Sequence, residues 1–199
     1  HSANLDLEVR VRSRTRDLED EVERRRTAEE KLRDMANHDN LTGLPNRGHL
    51  LDVLQMEIEA AEEKPRMMAV MYVDLDGFKA VNDTLGHNAG DMALKIVAQR
   101  LKGCIRKSDV AARLGGDEFV VVLRNVKTIS IVESRAREIV EMMGEPFDVG
   151  GARPAEIGAS VGVALFPNDG ATPDTLLKAA DGAMYGVKAG GKNAVAFAS

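Results

Sequence analysis

The sequence predicts an α+β domain, a mostly antiparallel sheet covered by helices, behind one long N-terminal helix. Three observations predict it. Apolar runs of strand length occur at Met67–Leu75 and on both sides of Gly115-Gly116, the latter a β-hairpin signal. Helix-period segments separate these runs without a regular βαβ alternation. Residues 5–36 contain no Pro or Gly and are dense in Glu, Arg and Asp.

That first stretch reads as one helix. With Val11, Leu18, Arg25 and Leu32 at one heptad position, Thr15, Val22, Glu29 and Ala36 fall at the other. The seam is apolar at its ends and polar in the middle. A weak parallel two-stranded coiled coil fits this pattern. So does a solvated connecting helix supported by i,i+4 pairs such as Arg25 with Glu29. A helix this long cannot bury its own seam, and at 1.5 Å per residue it makes a rod of about 45 Å. The chain starts at His1 rather than Met, as expected of a piece cut from a longer protein.

Gly43 and Pro45 break the helix, placing the domain boundary near Asp39: residues 1–38 form the signalling helix and 39–199 the domain. Asn46 can cap a helix carrying Leu50, Leu54 and Ile58 to about Glu63, and Pro65 stops it. The strand Met67–Leu75 follows, then a turn at Asp76-Gly77. A short helix with Phe78, Val81 and Leu85 ends at Gly86, and a longer one spans about Ala89–Cys104. The hairpin occupies Asp109–Leu123. Residues 130–143 have helix period, and Glu156–Ala164 have strand period, with Gly158 and Gly162 as points of weakness or close approach. A turn at 167–170, a helix at Asp174–Lys188 and a strand at Asn193–Phe197 complete the order.

Composition narrows the function. The 199 residues suit one core-forming domain plus an appendage. A net charge of −5 argues against a broad DNA- or RNA-binding face, while leaving room for a small phosphate site. The single cysteine, Cys104, excludes an internal disulfide and a thiolate metal cage, and reads as buried filler before reactive thiol. No run approaches 18 apolar residues and no signal peptide is visible, so a cytoplasmic location is expected, either free or as the cytoplasmic part of a longer, membrane-bound protein.

The chemistry concentrates at two strand ends. Asp74 closes an apolar strand; it is either a turn aspartate, a role that suits Asp76 better, or a hard oxygen ligand for Mg²⁺ or Mn²⁺. Asp117 and Glu118 directly follow Gly115-Gly116, where like charges so close would repel without a cation. Lys188 and Lys192 flank a glycine pair; they suit either a basic helix C-terminus or a phosphate tail. Asn82 and Asp91 combine a donor–acceptor with an acceptor, a set able to read the Watson–Crick edge of guanine. His38, His49 and His87 are scattered, and no catalytic triad is evident.

Gly115-Gly116-Asp117-Glu118-Phe119 resembles, letter for letter, the signature of the GGDEF family of diguanylate cyclases. Four further segments are similar to that family in the same order: 39–47, 74–83, 86–91 and 181–192. The resemblance covers about residues 37–199. It implies a fold like those of nucleotidyl cyclases and polymerase palms, and condensation of two GTP into cyclic di-GMP with release of two pyrophosphates. It further implies that Asp74, Asp117 and the backbone carbonyl of Leu75 hold the metal, with Glu118 an additional acid beside it. By the same resemblance Asn82 and Asp91 read guanine, and Lys188, Lys192 and the backbone of Phe78 and Lys79 contact phosphate. Asp117 stands where the family often has Glu, and either ligates Mg²⁺. Lys192 stands where Arg is common, replacing a bidentate grip by a point charge.

Arg106-Lys107-Ser108-Asp109 is similar to the family's Arg-x-x-Asp inhibitory site, which implies that Arg106 and Asp109, with Arg113, bind the cyclic di-GMP product. Without the family, Arg106 and Asp109 are an exposed turn pair. The attacking 3′-hydroxyl has two routes to ionise: a metal lowers its pKa, or Asp117 or Glu118 takes the proton. One GTP per domain requires two domains facing each other, so a homodimer through the N-terminal helix is expected, driven by an upstream sensor or receiver domain. Alternatives are a catalytically silent GGDEF module responding to GTP or cyclic di-GMP, and a related cyclase with altered base choice, against which Asn82 and Asp91 speak.

Overall fold

Strand β1, Met67–Asp76, is the axis of the fold: it pairs antiparallel with a strand on each side and is buried along nearly its whole length. The computed structural model describes residues 12, 14–16, 18–27, 36–63, 65–151 and 153–199. Two compact units result, His1–Asn37 and His38–Ser199.

In the first unit, residues 18–27 are helical, and Leu18 and Val22 are each 63% exposed. Arg25 Nε pairs with Glu21 Oε1 at 3.0 Å. The expected seam positions Val11, Glu29 and Leu32 lie outside the described residues.

In the second unit the elements run α1 (Arg47–Glu63), β1, α2 (Phe78–Leu85), α3 (His87–Cys104), β2 (Val110–Gly115), β3 (Glu118–Val126), α4 (Ile129–Met143), β4 (Gly158–Phe166), α5 (Pro173–Gly190) and β5 (Val195–Phe197). The order matches the sequence reading. The sheet is β2-β3-β1-β4-β5, antiparallel except for the β4–β5 pair. Among the described residues no helix is long and apolar enough to cross a membrane.

Alternation along β1 sends its side chains into two cores. Ala69, Met71, Val73 and Leu75 pack with α2, α3 and α4, whereas Met68, Val70 and Tyr72 pack with α1 and α5. A strand covered on both faces has no polar side, which is why its sequence reads as an uninterrupted apolar run. Asp74 falls on the α1/α5 side by the same alternation. Gly162 of β4 is a close approach: a Cβ there would lie 2.0 Å from the Ala180 carbonyl oxygen, so α5 rests directly on the strand. Cys104 is buried among apolar residues, and burial pushes its thiol up to about 11. It is filler.

Candidate active site

Strand β1 and the β2–β3 hairpin bring the acids together. Asp74, 6% exposed, sits on β1 directly across from Glu118 on β3. Asp117 occupies the two-residue turn between β2 and β3, and its carbonyl accepts the Leu75 amide at 3.3 Å. Gly116 has φ +51° and Gly115 φ +151°, while a Cβ at either would meet nothing within 4 Å. The glycines are therefore needed for the turn's backbone, and the space outside them is open to a ligand.

The electrostatics are uncomfortable without a cation. Burial raises the Asp74 carboxyl above its ordinary value, and the charges of Asp117 and Glu118 push the same way. Lys188 of α5 opposes this, its Nζ 2.6 Å from Asp74 Oδ1. Oδ1 is buried, and this ammonium is the charge set against it. Lys188 itself is raised: burial works against its charge, and Asp74 outweighs it, with help from Asp117 and Asp76. A buried carboxylate beside two more acids, with Lys188 set against it, fits a hard divalent cation, and Mg²⁺ takes only one or two carboxylates beside phosphates and water. Among the described residues no three acidic, His or Cys side chains close into a full cage.

The phosphate candidates lie on α2 and after α5. α2 begins after Gly77 (φ +86°) with no side-chain cap, so the amides of Phe78 and Lys79 open the helix uncovered. Phe78's ring is buried in the core and Lys79 is exposed. Lys192 is exposed in a left-handed corner after α5, φ +68°. Asp76, read from sequence as a turn residue, holds that corner: its Oδ2 accepts the Asn193 amide at 3.0 Å and the Ser160 hydroxyl at 2.8 Å. Asn82 of α2 lies against Gly90 of α3, the residue before Asp91.

Asp109 contrasts with Asp74. Its two oxygens accept backbone amides, Arg106 N and Arg124 N, each at 3.1 Å. Arg106 is exposed and borders two cavities, of about 260 and 140 Å³. Arg113 is engaged elsewhere: its Nη1 lies 3.0 and 3.1 Å from the two Asp39 oxygens, and its Nε and Nη2 donate to the Gly116 carbonyl at 3.1 and 2.8 Å. Burial would raise the Asp39 carboxyl, but hydrogen bonds from Thr42 and Arg113 bring it below its ordinary value. The first turn of the domain is thus fastened to the Gly-Gly turn.

Sequence reasoning missed Asp76, Asp39 and Tyr72. Tyr72 lies diagonally across the β1–β3 register from Glu118, and its phenol is raised by burial first and then by Glu118 and Asp181. It lines a cavity of about 210 Å³ with Arg47, Lys178 and Asp181. A tyrosine two residues before Asp74 in an apolar strand was the available signal. His38 and His49, scattered in the sequence, bring their rings to 5.8 Å, and neither joins the acids.

Residues 36–194 match the family described as "Diguanylate cyclase, GGDEF domain". The chain is 41% identical over 191 residues to the bifunctional diguanylate cyclase/cyclic di-GMP phosphodiesterase MucR of Pseudomonas aeruginosa, covering 96% of this chain and 27% of that one. It is 42% identical over 168 residues to the cyclic di-GMP phosphodiesterase NbdA of the same organism, 84% of this chain and 21% of that one. The chain thus spans about a quarter of these relatives' length. Its structure is similar to that of the coiled coil and GGDEF domain of DgcB from Caulobacter crescentus in complex with c-di-GMP. That match has a TM-score of 0.85 at 32% identity and covers 94% of this chain and 99% of the other.

Proposed function

Because this chain belongs to the GGDEF family of diguanylate cyclase domains, we propose that it condenses two GTP into cyclic di-GMP and two pyrophosphates. The observation that carries the reading is the buried Asp74, facing Glu118 and neighbouring Asp117, with Lys188 at 2.6 Å.

Asp74, Asp117 and the Leu75 carbonyl would hold Mg²⁺ or Mn²⁺, which when bound offsets triphosphate charge and the charge developing on the leaving pyrophosphate. Lys188 stands where a phosphate oxygen competes with Asp74 for its ammonium, and Lys192 extends that positive edge. The amides of Phe78 and Lys79 donate to the phosphate tail, and Asn82 with Asp91 reads guanine. The carboxylate of Asp117 or Glu118 receives the 3′-hydroxyl proton. The 3′-oxygen of one GTP bonds to the α-phosphorus of the other as the bond to pyrophosphate breaks, and the second transfer closes the ring.

Each domain supplies one GTP, so the reaction needs two copies facing each other. Exposed Leu18 and Val22 support a helical seam between copies, through which an upstream sensor or receiver domain sets their approach. Residues 39–199 are the catalytic domain in this reading, on the cytoplasmic side where GTP is supplied. Arg106 and Asp109 bind product as a brake; Arg113 joins them only by releasing Asp39 or Gly116.

Similarity to a relative named as a phosphodiesterase favours one second reading, a silent module that binds GTP or cyclic di-GMP without turnover. Incubation with GTP and Mg²⁺ followed by nucleotide separation decides. Cyclic di-GMP and pyrophosphate are expected, with ATP inert. Absence of product at high protein concentration overturns cyclase activity.

A further inference from the structure

Gly90 carries no chemistry, yet it borders Asn82, a half-buried amide of the guanine site. A Cβ built on it would lie 2.0 Å from Asn82 Oδ1, 2.9 Å from Asn82 Cγ and 3.3 Å from the tip of the Phe78 ring. Phe78 and Asn82, four residues apart, share one face of α2, and buried Gly90 of α3 lies against that face. The Asn82 side chain makes no hydrogen bond among the described residues, although its backbone carbonyl accepts the Gly86 amide at 2.9 Å. Packing alone therefore aims the amide. Its donor and acceptor both stay available, and Asp91 is the residue after Gly90.

We infer that Gly90 is a positioning residue for base selection: its missing Cβ forms the notch that seats the Asn82 amide at the guanine edge beside Asp91. The inference rests on the guanine reading of Asn82 and Asp91 above. An alanine at 90 would force the amide out of the notch while suiting the helix better than glycine does. Base recognition would then fail in a folded protein.

The test is equilibrium binding of GDP and IDP in Mg²⁺. Neither can release pyrophosphate, and IDP lacks the exocyclic amine of guanine. In Gly90→Ala, GDP should bind about tenfold more weakly while IDP changes little, so the preference for GDP collapses. Adding Gly90→Ala to Asn82→Ala should cost nothing further, because both act through one amide. If Asn82→Ala weakens GDP but Gly90→Ala leaves the GDP/IDP ratio intact, the positioning role is overturned and the guanine reading stands. If Asn82→Ala itself leaves the ratio intact, both readings fall. Should Gly90→Ala not fold, Asn82→Gln serves instead: it keeps the amide but adds a methylene for which the notch has no room. Full retention of the GDP preference in that variant overturns the inference.

Discussion

The β2–β3 hairpin carries an aspartate problem at each end, solved in opposite ways. At its base, Asp109 gives both oxygens to backbone amides and fixes the turn from Arg106. At its tip, Asp117 and Glu118 crowd Asp74, whose Oδ1 is met by the Lys188 ammonium at 2.6 Å. The same residue type is fixed by backbone amides at one end, and at the other is set against a lysine side chain among repelling acids. The contrast makes stability and activity separable along a single hairpin.

The strongest way to break the contrast is Asp117→Asn. Turnover should fall about 1,000-fold, roughly 4 kcal/mol of barrier, while melting temperature holds or rises because a repelling charge has gone. A parallel loss of fold would show that the tip is structural too. Mg²⁺ sharpens the same point: at a hundred times its dissociation constant it should add about 2.7 kcal/mol of stability to the parent chain, and far less to Asp117→Asn. Calorimetry with and without the ion reads this directly.

At the base the expectation reverses. Asp109→Ala should cost about 2 kcal/mol in denaturant unfolding by orphaning two amides, with uninhibited turnover nearly unchanged. Asp39 links the two ends through Arg113, and its carboxyl lies below the ordinary 3.8. A lowered folded-state value means its stabilisation is full above 3.8 and is lost as pH falls through that lower value. Asp39→Asn should cost about 1 kcal/mol at neutral pH and flatten the acid limb of a stability–pH curve. Arg106→Ala is the smallest perturbation, within about 0.5 kcal/mol of parent stability. Its progress curve should nevertheless lose product inhibition, and an unchanged curve would remove Arg106 from the product site.

Much of this was legible before any coordinates. The apolar run ending in Asp74 and the Gly-Gly turn before Asp117 and Glu118 announced themselves because strand period and turn chemistry are local properties. Asp76, Asp39 and Tyr72 were not legible, because each acts through a partner far away in the chain: Asn193, Arg113 and Glu118. Arg113 illustrates the limit. Its place next to the signature pointed toward product, whereas its guanidinium fastens the domain's first turn.

Sequence by itself determined the elements, their order and the family, and it proposed the acids of the site. Those follow from residue type and short spacing, which need no knowledge of what packs against what. Tertiary structure alone decided which acids are satisfied, why Gly162 and Gly90 must lack a Cβ, and which lysine reaches Asp74. These depend on how β1 is sandwiched between two helical layers, and close packing is a property of distances that no local pattern encodes.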